Sequence, residues 1–321
     1  MNSMTLPIGG TAAAALDALS ARRTPALQPL PWPSLGEILV HLKTRPSNCG
    51  RVLRIGAAMA WSRFYRRDFE WQVSPLSLAG PLLRQRGAGG FAPLYQAFVD
   101  QRHGMRERFR QYHHNLVAAE SWLAGAKDAL LTDGRQVLLR HGDFSIDLGL
   151  NEISLQEGLW SLSLRDAEGR RLSMLTFCFV RGGGLLVGSV QGPRMDDAEA
   201  LNGIRAATQA FEGLRPPYLL LTVLRLLGRQ WTLPVAGIDP SLKVGARRRH
   251  RGSPHAFDYR GFWESNGAER QADGRWTLPD EVGVRDLSTV PSRKRAMYRR
   301  RGEWLDQAAE TLRRVLPSPE R

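Results

Sequence analysis

Two segments near the carboxyl end concentrate positive charge. Residues 246–252 read ARRRHRG and residues 293–301 read RKRAMYRRR, with no acid after the second until Glu303. Guanidinium and ammonium groups at that density hold phosphates, carboxylates or nucleic-acid backbones, so anion binding is the first chemistry to weigh. The carboxylates Asp143, Asp147, Glu152 and Glu157 offer a second, an acid and base pair. Their placement among strand-like residues is also what solvent-facing positions of a sheet show, and they are read that way. His113 and His114 are adjacent, so on a helix they diverge by about 100° and chelate one ion poorly. His250 and His255 flank RGSP inside the arginine run, where another cation is unwelcome. No metal site is expected.

Residues 185–208, LLVGSVQGPRMDDAEALNGIRAAT, have the strand, glycine turn and helix order of a phosphate cradle. Their first helical turn carries Asp196, Asp197 and Glu199, whose charge and capping-box spacing oppose an anion there. Neither a G-x-G-x-x-G, a P-loop nor a G-x-S-x-G elbow is present. The segment reads as a plain strand-to-helix connection.

These groups need a frame to position them. Residues 1–33 end in a proline-rich stretch and read as an extended lead-in. A helical region follows over 34–131: SLGEILVHLK and RVLRIGAAMAWSRFYRR have amphipathic spacing, RQRGAGGFAP reads as a loop, and 93–131 is helical. Tyr95, Phe98, Phe109, Tyr112, Leu116 and Trp122 supply the buried face of that last stretch, which Gly104 divides. From about 143 the pattern changes to short apolar or alternating runs, FSIDLGL, LWSLSL, LSMLTFCF and LLVGSV, joined by RDAEGR and RGGG. Loops that short favour an antiparallel meander, with the doubly apolar third run at its centre. Two helices follow, the first capped by Gly213 and the second running from Pro217 to Gly228; LPVAGID then returns as a strand. A basic helix over 291–316 ends the chain, its inward stripe including Arg301, Trp304, Leu305 and Leu312. The fold class is therefore α+β, with the core over 132–321.

Composition sets the outer bounds. The chain has 321 residues, 42% hydrophobic and 24% charged, and a formal net charge of +14 from 45 Lys and Arg against 31 Asp and Glu. That balance excludes a disordered or fibrous chain and favours anionic partners. Two cysteines, with Cys178 in an apolar run, make no disulfide framework and point to a reducing compartment. Neither a secretory signal nor a transmembrane segment is expected, since YLLLTVLRLLG is half the length of a span and contains Arg225. A cytoplasmic protein is expected, with peripheral attachment at the inner face of the membrane as the place its charge would take it.

At LLVGSVQG, GLRPPYLLL, VAGID, YRGFWESNG and KRAMYRRRGEWL, in that order, the chain resembles the VirK/YbjX family of bacterial proteins, also called DUF535, over about 94–316. The resemblance implies links to envelope integrity, virulence, stress responses and resistance to cationic antimicrobial peptides, with no agreed reaction. It also implies a histidine after the VAGID-like strand, where this chain has Lys243, and a Glu-x-Gly-Gly run where it reads ESNG. Arg215, Lys243, Arg260, Trp263 and Glu264 are expected to line a ligand site together with Arg293, Lys294, Arg295, Tyr298, Arg299, Arg300 and Arg301. The expected ligand is anionic, an acidic lipid or lipopolysaccharide precursor; no cofactor is assigned. Two alternatives stand beside that reading. The first is an acyl-coenzyme A-dependent acyltransferase of N-acetyltransferase-like fold, on the order of the meander, the helices and the VAGID strand. The second is non-specific nucleic-acid binding, for which no signature motif is present.

Overall fold

The structure, a computed structural model, describes residues 32–65, 69, 77–193, 198–244, 257–282, 288 and 290–319. Most of the proline-rich lead-in, the turn carrying Arg194, Asp196 and Asp197, and the arginine run with His250 and His255 lie outside the described residues.

Six helices precede the sheet among the described residues: α1 (Leu35–His41), α2 (Cys49–Ser62), α3 (Ala79–Gln85), α4 (Ala88–Tyr95), α5 (Met105–Trp122) and α6 (Lys127–Asp133). A capping box of Ser34 and Glu37 starts α1, and the Asn48 side chain accepts from Arg51 N to start α2. The glycine-rich stretch read as a loop is helix α4 instead. A Cβ at Gly89 would lie 2.8 Å from His41 and one at Gly90 2.9 Å from the Leu83 carbonyl. The glycines are there so that helices can touch, and burial of Phe91, Leu94 and Tyr95 outweighs their low helix propensity. The break expected at Gly104 is longer than a single residue: α4 ends at Tyr95, and residues 96–103 run outside a helix before Gly104 caps the start of α5.

Among the described residues, eight strands form one sheet in the order β1-β2-β3-β4-β5-β6-β8-β7. β1 (Arg135–His141), β2 (Phe144–Leu150), β3 (Trp160–Arg165), β4 (Arg171–Phe179) and β5 (Leu185–Gln191) are an antiparallel meander. β4, the doubly apolar run, is central and covered by α5, α7 (Ala198–Ala210) and α8 (Pro216–Trp231). Cys178 on β4 is wholly buried, which pushes its thiol up to about 12, whereas Cys49 is exposed. Helix α8 does not stop at Gly228: Leu227, Gly228 and Trp231 are all buried, so packing carries the helix one turn past the glycine.

β6 (Val235–Ile238), the VAGID segment, joins β5 in parallel for only three residue pairs, ending at Val187↔Gly237. There the strands part: β5 continues to Gln191, while Ile238 pairs with Arg275 of β8 (Arg275–Thr277). α9 (Tyr259–Ser265) precedes β7 (Glu269–Arg270), and α10 (Ser292–Val315) packs across β1 and α8. The chain is thus an α+β protein with helices at both ends of a mostly antiparallel sheet.

Candidate anion-binding cleft

Where β5 leaves β6, its Val190 N–H and C=O have no strand partner. The Tyr259 hydroxyl fills that place, accepting from Val190 N at 3.0 Å and donating to Val190 O at 3.1 Å. Lys243 Nζ donates to the same hydroxyl at 2.6 Å and lies 3.4 Å from Glu157 Oε1, with Lys243 only 2% exposed. Glu157 is held in turn: Gln191 Nε2 donates to its Oε2 at 2.8 Å, and Thr176 Oγ1 donates to its main-chain oxygen at 2.8 Å. The carboxylate read as a solvent-facing strand residue is therefore a buried-lysine partner. It sits in a short 3-10 turn, Leu155–Glu157, laid against β5. That contact explains Gly188, where a Cβ would fall 1.7 Å from the Glu157 oxygen. Gly188 thus serves close packing.

The turn after β6 delivers Lys243 to this cluster. Asp239 accepts from Ser241 N and Oγ and from Arg270 Nε at 2.6–2.9 Å. Burial would raise the Asp239 carboxyl, but these hydrogen bonds hold it below the usual carboxylate range. Trp263 is fully buried, with Nε1 donating to Ile238 O at 3.1 Å, and its ring lies against Gly237, where a Cβ would come within 2.4 Å. The cluster is closed and satisfied.

Beside it lies a cleft of about 450 Å³. Gln156 and Val244, the chain neighbours of Glu157 and Lys243, line it together with Tyr95, Gln96 and Gln101. Val99, between these segments, takes a left-handed φ of 57°, rare for a β-branched residue, and donates its N–H to Gln156 O at 2.7 Å. Arg51, Arg54 and Arg108 bring three guanidinium groups to the same cleft. Arg51 donates to Leu42 O at 3.4 Å, Arg54 to Gly50 O at 3.2 Å, and Arg108 to Gln96 O. None of the three meets a carboxylate among the described residues. The Nε of Arg108 is buried with no hydrogen-bond partner there, and burial lowers its pKa below the ordinary arginine value. A wall with three cations and no counter-charge among the described residues has the chemistry to hold an anion: a phosphate or carboxylate oxygen there would replace a weak main-chain contact with a charge-assisted one.

The residues expected from sequence to share a site occupy separate places. Lys243 and Trp263 belong to the closed cluster. Arg260 and Glu264 are exposed and pair with each other on α9 at 2.9 Å. Arg215 is exposed at the start of α8. On α10, Arg293, Lys294, Arg295 and Arg299 are exposed, and Arg295 donates to Val290 O at 3.0 Å. Arg300 forms a bidentate pair with Glu212, both bonds 2.8 Å. Arg301 donates to the Glu212 main-chain oxygen and stacks 4.7 Å above the Tyr298 ring. Arg51, Arg54 and Arg108 were not among the expected residues. They come from helices far apart in sequence, and only the missing acids around Arg51 and Arg54 hinted at them.

A protein of Haemophilus influenzae described as uncharacterized is 31% identical over 220 residues, covering 68% of this chain and 74% of its own. The uncharacterized protein YbjX of Escherichia coli is 29% identical over 188 residues, 55% of this chain and 56% of its own. A Mannheimia haemolytica protein named membrane protein LapB is 27% identical over 164 residues, 50% of this chain and 70% of its own. No solved structure matches the chain. Residues 62–314 match a family described as a protein of unknown function, DUF535, and the chain belongs to that family.

Proposed function

We propose that the chain binds an anionic ligand, phosphorylated or carboxylated, between Arg51, Arg54 and Arg108, in the service of the bacterial envelope. The carrying observation is the cleft itself: three guanidinium groups held only by carbonyls, one with a buried Nε lacking a partner. A net charge of +14 raises the local concentration of such a ligand. The name of the Mannheimia haemolytica relative, a membrane protein, supports an envelope lipid or lipopolysaccharide precursor as its source and the inner face of the membrane as the place of action. No helix among the described residues is long and apolar enough to cross a membrane, so attachment on this reading is peripheral. Roles in virulence and resistance to cationic peptides belong to the same reading.

Thermal unfolding at constant ionic strength tests it. Pyrophosphate at about 100 times its dissociation constant stabilises by about 2.7 kcal/mol. Chloride of equal ionic strength leaves the midpoint unmoved. Equal shifts with both salts, or no shift with pyrophosphate, end the reading.

The strand order supports a second reading. A parallel pair that separates after three residue pairs, followed by the order β6-β8-β7, resembles the sheet in which N-acetyltransferases hold acyl-coenzyme A. Here the Tyr259 hydroxyl occupies the opening and would have to yield its Val190 bonds to a ligand. Calorimetry with acetyl-coenzyme A decides this reading; no heat at millimolar ligand removes it.

A further inference from the structure

Between Glu37 and Asp68 the chain contains seven Lys and Arg residues and no Asp or Glu. This stretch holds most of α1, all of α2 and the short 3-10 turn Arg63–Tyr65 that continues it. It also holds the most exposed large apolar side chains of the described residues: Phe64 at 83%, Val40 at 79% and Leu53 at 71%. On a helix Leu53, Ala57, Ala60 and Phe64 fall within one narrow stripe, because steps of four, seven and eleven residues return to nearly the same direction. Ala57 and Ala60 are exposed too, so the whole stripe faces outward. Arg54 and Arg63, both exposed, lie on opposite sides of it. Ile55 and Ala58, on the other face of α2, are buried in the core. The helix therefore has two apolar faces, one filled by its own protein and one left uncovered among the described residues.

We propose that this outer face of α2, in a stretch that also carries the exposed Val40 of α1, docks on an anionic lipid bilayer. A protein partner would need complementary acids in a fixed pattern. A bilayer asks only for apolar side chains of modest depth flanked by cations, which is what Leu53 and Phe64 between Arg54 and Arg63 supply. The arrangement also sets an orientation. Arg54, on the flank of the stripe, also lines the cleft, so docking through α2 brings that edge of the cleft near the lipid surface, where anionic headgroups are concentrated. The docking face rests on exposure and charge alone and does not require the cleft to bind its ligand.

The chain carries its own reporter. Cys49 begins α2 one turn before Leu53 and is exposed, while the second cysteine, Cys178, is buried. A polarity-sensitive fluorophore on Cys49 of the full chain is titrated with vesicles of phosphatidylethanolamine and phosphatidylglycerol, and with vesicles of phosphatidylcholine alone. The expected result is a blue shift with the acidic vesicles only. The double substitution Leu53→Ser with Phe64→Ser weakens it by about tenfold, since two exposed apolar groups leave the interface. Both sites are exposed, so the variant keeps the wild-type melting temperature and its pyrophosphate response in the cleft. Equal partitioning of wild type and double variant overturns the proposal, as does partitioning lost instead by Arg293→Gln, Lys294→Gln and Arg295→Gln on α10. A blue shift that grows with protein concentration without vesicles also overturns it, marking a second copy as the occupant. Loss of pyrophosphate binding with intact vesicle binding removes the cleft reading alone.

Discussion

The cleft and the carboxyl-terminal helix hold arginines in different surroundings. On α10 most of the charges lie in water, Arg300 takes both Glu212 carboxylate oxygens, and Arg301 donates to the Glu212 carbonyl and stacks on Tyr298, although its Nε, like that of Arg108, is buried without a partner among the described residues. In the cleft, Arg51, Arg54 and Arg108 are gathered from α2 and α5 around a concave space and find only carbonyls. Local charge density and unmet charge are therefore different properties. The first is visible as a run of letters. The second depends on which acids the fold brings near, and it is the second that leaves binding energy for a ligand.

The buried Lys243 cluster bounds the comparison from the other side, because every member is satisfied. Replacing Lys243 with Ala strands Glu157 and leaves the Tyr259 hydroxyl short of one donor. A loss of about 3–5 kcal/mol is expected in chemical denaturation, the largest effect among these variants. A smaller loss, within about 1 kcal/mol, would mean that the cluster is open to water and belongs with the cleft.

Arg108→Met is expected to separate stability from binding. The buried Nε without a partner means that removal of the charge costs little or even stabilises, while pyrophosphate affinity falls by at least about tenfold, or 1.4 kcal/mol. A variant that unfolds while binding normally would reverse the assignment. Arg51→Gln and Arg54→Gln act from the more exposed rim, so each weakens the anion by about threefold, and the effect shrinks as salt is raised from about 0.01 to 0.15 M. Salt-independent losses would argue instead that they shape the cleft.

The helix supplies the smallest effects. Arg300→Ala is expected to change stability little and to leave anion binding unchanged, because its side chain is more than half exposed. The Arg300 hydrogen bond holds the Glu212 carboxyl below its ordinary value of 4.5. A depressed carboxylate stabilises the folded state above that ordinary value and loses its contribution as pH falls through the lower folded one. Amide exchange in the first half of α10 should therefore quicken below about pH 4.5, and this acid response should vanish in Arg300→Ala. Acid-insensitive exchange in the wild type would show that Glu212 does not anchor the helix.

Much of the frame was legible because it is written locally. The meander from β2 to β5, the central doubly apolar β4 and the return of VAGID as β6 follow from runs of four to nine residues joined by short glycine loops, whereas β1, before the change of pattern at about residue 143, is not among the runs read as strands. The glycines were the harder letters. Gly89 and Gly90 look like a loop and are a helix contact, and Gly188 looks like a phosphate turn and makes room for the Glu157 carbonyl. In each case the reason is an atom distant in sequence. The site follows the same division. Lys243 stood out only through the family resemblance, and its partners Glu157 and Tyr259 come from 86 positions before it and 16 after. Arg51, Arg54 and Arg108 share no motif at all; what unites them is a concavity that only folding creates.

The most direct measurement is calorimetric titration of pyrophosphate into three forms of the full chain: wild type, Arg108→Met, and the α10 triple variant Arg293→Gln, Lys294→Gln and Arg295→Gln. The account predicts saturable heat for the wild type, nearly the same curve for the α10 variant, and a curve weakened at least about tenfold for Arg108→Met. Binding kept by Arg108→Met and lost by the α10 variant would contradict it, and would place the anion on the helix instead of in the cleft.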